Sequence, residues 1–225
     1  LLDWLACEFI KKDWSIKHIH KIILQSKTWQ QSSKPRKDGM NQDAQGQFYW
    51  RFTPRRIRAE VLRDSILKIS SSLNTKRGGP GFSAFEVELE NVRHYHPRKN
   101  YGPNEWRRMV YMTRVRQEKD SVFGIFDCPD GSQSVAIRPR STTPLQALNL
   151  FNSEFVIEQA NIYSNNLKNR YKNNVKNQIE GAFWDMFSRA PSLEEIELSM
   201  DLVKKAGLQS LARALFNSNE FTFIY

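Results

Sequence analysis

The sequence predicts a mainly α fold: a multi-helix domain with a small β-containing insert between two helical lobes. Three observations carry this. First, over 2–23, over 55–73 and again from Pro144 to Phe216, apolar residues recur three and four apart, the spacing of one helix face. Second, between these regions the period drops to two. Phe85, Val87 and Leu89 alternate with Glu86, Glu88 and Glu90, the pattern of a half-buried strand. Third, residues 141–153 read as a helix start. Ser141, Thr142 and Thr143 offer hydroxyls to first-turn amides, and Pro144 suits the first helical position. Leu145, Leu148 and Phe151 follow on one face, with Gln146, Asn149 and Ser153 on another. The expected organisation is one domain: an N-terminal helical lobe over 1–73, a loop and β insert over 74–140, and a C-terminal helical lobe over 141–225.

In order, Leu2, Leu5 and Phe9 mark a first helix ending near Lys11 and Lys12. Ser15 is placed to cap a second, with Ile16, Ile19 and Ile23 inward. Residues 26–33 leave that helix and carry Trp29. Residues 34–47, rich in Lys, Gly, Asn, Gln and Asp, read as a mobile loop. After the aromatic run 48–52, Pro54 opens a helix over 55–71 that buries Leu62, Ile66, Ile69 and Leu73. Arg77-Gly-Gly-Pro-Gly81 is a turn, and residues 94–104 are a loop with two prolines. Met109, Tyr111, Thr113 and Val115 alternate with Arg108, Arg114 and Arg116, which predicts a second strand, with a helix as the alternative. Residues 121–126 lead into the turn Asp127-Cys-Pro-Asp-Gly131. Ser153 is expected to cap a helix over 154–170. Val175, Ile179, Phe183 and Met186 or Phe187 mark another. Ser192 and Glu195 form a capping box for a third, with Ile196, Met200 and Val203 inward and Gly207 at its end. A final helix covers 208–216, and 221–225 is extended. Leu150-Phe-Asn-Ser-Glu-Phe155 is echoed by Leu215-Phe-Asn-Ser-Asn-Glu-Phe221, with no repeat of fixed period.

The net charge of +10 favours acidic partners: nucleic acid, an anionic membrane surface, or sulfated and carboxylated polysaccharide. The basic residues are dispersed rather than clustered, which ranks nucleic acid last. No apolar run approaches the roughly 20 residues of a membrane span. Cys7 and Cys128 are the only cysteines, so no thiolate zinc site and no Cys-x-x-Cys-His haem attachment lies in this segment.

Asp127 and Asp130 are the candidate catalytic pair, since two carboxylates can divide acid and base roles when their pKa values are pushed apart. Arg138 and Arg140 could orient a carboxylate or sulfate, and Gln146 and Asn149 could bond sugar hydroxyls. The alternative for this stretch is ordinary turn chemistry, with Arg138 paired to Asp127. A second candidate set is Arg56, Glu60, Arg63 and Asp64, which fall on adjacent helical turns; the alternative is a structural ion-pair network. His18 and His20, two apart on a helix, point away from one another. His94 and His96 would share a face on a strand, but two ligands are not a zinc site, so no metal site is assigned.

Taken together, several stretches resemble the planctomycete and verrucomicrobial family called domain of unknown function 1553, or PSD-one. They are Leu1-Leu-Asp-Trp-Leu-Ala6, Trp14-Ser-Ile-Lys-His-Ile-His20, Arg55-Arg56 with Ala59-Glu60 and Arg63-Asp64, and Gly78-Gly-Pro-Gly-Phe82. Phe126-Asp127 with Pro129-Asp130, residues 141–155 and Asn217-Ser-Asn-Glu-Phe221 complete the set. The resemblance implies a helical domain of an exported protein, periplasmic or secreted, associated with polysaccharide processing. It implies a cytochrome-c-like domain, which would carry haem c, and a companion domain of unknown function upstream in the same polypeptide. The family's aromatic and His-containing segment ahead of Leu1 is missing, so the chain is expected to be a fragment. Catalysis and the non-catalytic holding of an anionic glycan or of the haem domain both remain open.

Overall fold

Hydroxyl and amide side chains set the helix starts. Ser15 Oγ accepts the His18 N–H at 3.3 Å and opens α2 (Ile16–Gln25), which follows α1 (Leu2–Lys11). Asn174 does the same for Asn177, and Ser192 for Glu195. In this computed structural model the described residues are 1–98, 101–120 and 122–225. They divide into two compact units, Leu1–Arg55 with Tyr225, and Arg56–Ile224.

In the smaller unit, α1 and α2 are joined through Asp13 and Trp14, both with positive φ, and Trp14 meets Phe9 edge-on at 5.2 Å. Ile16 and Ile23, expected inward, are exposed, because this unit offers no second layer that would cover them. Residues 34–47 are not a loop throughout: Lys37–Gln42 form a short helix, α3. The Trp50 ring lies so close to Gly39 that a Cβ there would sit 2.6 Å from it, and Trp50 Nε1–H donates to the Asp43 carbonyl. Local polarity hid this contact from the sequence.

The larger unit is built around α6 (Glu154–Tyr171), packed between α4 (Ala59–Ile69), α7 (Val175–Phe187) and α9 (Leu208–Phe216). Leu62, Ile66, Val156, Ala160, Tyr163, Leu167, Ile179 and Phe216 make its interior. Ser70 Oγ–H donates to Gln159 Oε1 at 2.6 Å, and the Asn166 amide donates to the Ser70 carbonyl, tying α4 to α6. α4 starts at Ala59, four residues later than expected. Arg55–Arg56 instead form a short strand, β1, and the Ile57 N–H donates to the Thr222 carbonyl. α5 (Pro144–Asn152), α8 (Leu193–Ala206) and α10 (Asn219–Thr222) complete the ten helices among the described residues. Gly207, at φ +81°, ends α8 as the sequence predicts, in a conformation that favours glycine. The Leu-Phe-Asn-Ser echo marks two helix-to-helix breaks, α5 to α6 and α9 to α10. Ser218 caps α10 through the Phe221 N–H, whereas Ser153 makes no such bond at the start of α6.

Between α4 and α5, residues 85–97 form an antiparallel hairpin, β2 (Phe85–Leu89) with β3 (Arg93–Pro97), in the register Phe85↔Pro97 to Leu89↔Arg93. β3 replaces the start of the loop expected at 94–104; Lys99 and Asn100 lie outside the described residues. β2 is a strand as expected, but only Phe85 is buried, and Leu89 is 74% exposed. The strand expected from Met109 is instead a 3-10 turn, Met109–Tyr111, because the Asp64 carboxylate draws in the Met109 N–H at 2.8 Å. Ser121, the first residue of the lead-in to Asp127, is outside the described residues. No helix among them is long and apolar enough to cross a membrane.

Candidate functional site

α4 distributes its charged residues by face. Arg63 points inward and is 2% exposed. Its guanidinium donates to the carbonyls of Arg107 (2.6 Å) and Glu105 (2.8 Å) and lies over the rings of Phe82 and Phe155. Burial lowers its pKa from the usual arginine value. Glu60 and Asp64, one turn apart, face outward. Asp64 accepts from Met109 N and Arg108 Nε, and Glu60 is clasped by both Arg138 Nη atoms at 3.0 and 3.2 Å. That two-point bond holds the Glu60 carboxyl below its ordinary value against the opposing effect of burial. The alternative reading paired Arg138 with Asp127; in the structure its guanidinium bonds the Glu60 carboxylate and reaches only the backbone carbonyl of Asp127, at 3.5 Å.

Asp127 has another partner. Its carboxylate accepts from Arg56 Nη2 at 2.5 Å, from the Ser141 amide at 2.7 Å and from the Ser141 hydroxyl at 2.8 Å. Arg56 also donates to the Ser141 carbonyl and covers the Phe126 ring. Burial opposes ionisation of Asp127, but the bonds from Ser141 and the Arg56 charge prevail and hold the carboxyl low. Of the three hydroxyls expected to serve the first turn, Thr143 caps α5, in a reciprocal box with Gln146. Gln146 then turns inward and donates Nε2–H to the Ile125 carbonyl and Ser141 Oγ. Asn149 is half-buried on the same helix, and Arg140 is exposed.

Asp130 bonds the Ser132 amide (3.0 Å) and hydroxyl (2.6 Å), which lower its pKa. Both aspartates line one depression of about 350 Å³, with Lys119, Cys128 and Pro139. Cys128 and Cys7 are both free thiols. Burial pushes the Cys128 thiol up, and Arg114 Nη2 stands 2.9 Å from its sulfur.

A larger open groove, about 710 Å³, lies over the outward face of α4. Five cationic side chains line it, Arg58, Lys68, Arg108, Arg114 and Arg138, against two carboxylates, Glu60 and Asp64. Both carboxylates are already bonded, as described, whereas Arg58 and Lys68 enter no ion pair among the described residues. Ile69, Leu73, Met109 and Met112 form an aliphatic floor. The sequence named Glu60, Asp64 and Arg138 of this set and missed Arg58, Lys68, Arg108 and Arg114 as lining residues. The alternation of Arg108 and Arg114 with apolar residues was the available signal. Among the described residues no three His, Cys, Asp or Glu side chains are gathered around a metal position.

No curated protein and no solved structure matches the chain. A family model matches residues 1–203, covering α1 to α7 and most of α8, and so includes the groove, both carboxylate clusters and the hairpin. The chain therefore belongs to the PSD1 family, described as protein of unknown function (DUF1553).

Proposed function

We propose that this domain is a non-catalytic binding module for an anionic carbohydrate, sulfated or carboxylated, held in the groove over α4. The observation that carries it is the surplus of cations there, two of them in no ion pair among the described residues. The groove's size falls within the roughly 300–1,000 Å³ of small-molecule sites. Among the described residues no aromatic ring lines it, so recognition rests on charge and on the aliphatic floor rather than on stacking. The resemblance read from the sequence supports an exported setting, with polysaccharide processing carried out beside a cytochrome-c-like domain of the same polypeptide.

The second reading is catalysis by Asp127 and Asp130, favoured by their sharing one depression. Acid–base division needs two carboxyls whose surroundings push them apart. Here both are pushed down, and the three bonds to Asp127 leave it a poor proton donor near neutral pH. Binding is the better account.

The test is equilibrium binding of matched oligosaccharides, neutral, carboxylated and sulfated, at two salt concentrations. The expected result is saturable binding of the charged oligosaccharides, weakened by salt and by the Arg58→Ala/Lys68→Ala/Arg114→Ala variant. Equal binding of neutral and charged oligosaccharides, or no effect of the triple substitution, contradicts the proposal.

A further inference from the structure

The hairpin places four metal-ligand side chains on one exposed face. Side chains alternate along a strand, so Glu86 and Glu88 of β2 share a face, as do His94 and His96 of β3. The antiparallel register puts Glu86 opposite His96 and Glu88 opposite His94. The other face carries Phe85 and Tyr95, whose rings meet at 6.2 Å, and it turns toward the core. The Glu and His face therefore points to solvent.

Directly opposed Cβ atoms stand about 5 Å apart, and residues two apart on a strand about 6.6 Å. The four Cβ atoms thus mark a rectangle of roughly 5 by 7 Å. Imidazole and carboxylate arms reach a common point above such a rectangle. One diagonal already contracts: His96 Nε2 lies 3.0 Å from Glu88 Oε2. Among the described residues no three such groups are gathered around one metal position, so the site requires its side chains to rearrange. All four side chains are exposed, so closure needs only side-chain rotation, which is fast for exposed residues. Charge on an exposed strand also discourages edge pairing, but that role does not require two histidines in register with two glutamates.

We propose that Glu86, Glu88, His94 and His96 form a site for one zinc ion, clamping β2 to β3. Two neutral imidazoles and two carboxylates make a nitrogen and oxygen donor set suited to a borderline divalent ion and poorly suited to magnesium. The sequence offered only the two histidines. The paired strand supplies the third and fourth ligands.

The test is isothermal titration of the whole tag-free chain with zinc chloride, with magnesium chloride as the control. Expected is one equivalent of zinc per chain and no comparable magnesium binding. His94→Ala/His96→Ala should weaken zinc at least tenfold, Glu88→Gln should weaken it less, and His20→Ala should leave it unchanged. All four substituted side chains are exposed, and circular dichroism of each variant confirms folding. Absence of saturable one-to-one zinc binding overturns the site. So does an unchanged isotherm in the double histidine variant, or magnesium binding as tightly as zinc.

Discussion

Asp127 shows how local sequence and distant partners divide the work. Its neighbours Pro129, Asp130 and Gly131 declare a turn, and its own φ of +57° fits one. Its partners lie far away in sequence, Arg56 by 71 residues and Ser141 by 14. The sequence singled out Arg56, Arg138, Glu60 and Asp127 but suggested the wrong partners, because spacing along the chain reports only near neighbours and both pairs span distant segments. Arg56 is nearly buried, so Arg56→Ala leaves the Asp127 charge without its cation and should cost about 3–5 kcal/mol in denaturant unfolding. An unfolding midpoint that hardly moves would contradict this pairing. Acid should unfold the protein through the same carboxylates. Glu60 and Asp127 are held below their ordinary values in the folded state, and Glu195 falls to about 2 under the Arg189 guanidinium. Groups depressed on folding stabilise the protein above their unfolded pKa values, near 4. That stabilisation fades as pH falls through the folded values. Stability should therefore be level above about pH 5 and drop toward pH 2, with Glu195→Gln shallowing the lower part of the curve. Circular dichroism against pH and urea measures it.

At the scale of the element, the long helices were legible in type, and facing failed in α2 and α5. The helix signals at 141–153 are real: α5 begins at Pro144 as expected, capped by one of the three expected hydroxyls, Thr143, which also forms a box with Gln146. Its faces are exchanged. Leu145 and Leu148 are 57% and 59% exposed, whereas Gln146 is buried and bonded. Periodicity assumes that polar residues face water, but a buried amide with two partners satisfies the same physics. Gln146→Ala should cost about 1–3 kcal/mol, since it leaves the Ile125 carbonyl without its bond. Leu148→Ala should stay within about 0.5 kcal/mol. The reverse order of unfolding midpoints would restore the expected facing. β3 was read as the start of a loop for a related reason: the prolines at 97 and 103 outweighed the brief alternation of His94, Tyr95 and His96, and its strand exists because β2 pairs with it. The helices from α6 to α9 were readable because each combines a regular apolar stripe with a start or stop signal.

Over the whole molecule, the mainly α class and the β-containing insert follow from the change of period along the chain. The distribution of burial does not. Residues 1–55 contain no fully buried side chain, although Leu2, Trp4, Ile10, Trp14 and Ile16 are apolar. The interior of residues 56–224 holds Tyr163, Phe155 and Phe216 almost wholly out of solvent. Hydrogen exchange should therefore find weak amide protection over 1–55 and the strongest in α6 and α9, because local opening is cheapest where little apolar surface is buried. Equal protection in the two units would contradict that distribution.

The central claim is that the cations over α4, and not the aspartate pair, hold an anionic carbohydrate. The most direct measurement compares a sulfated oligosaccharide's affinity for three folded proteins. These are the native chain, Arg58→Ala/Lys68→Ala/Arg114→Ala, and Asp127→Asn/Asp130→Asn. Product analysis of the same samples reports any cleavage. The account predicts at least a tenfold loss in the first variant, little change in the second and an intact oligosaccharide throughout. Binding lost only in the aspartate variant, or cleavage that depends on those aspartates, would contradict it and move the site to the smaller depression.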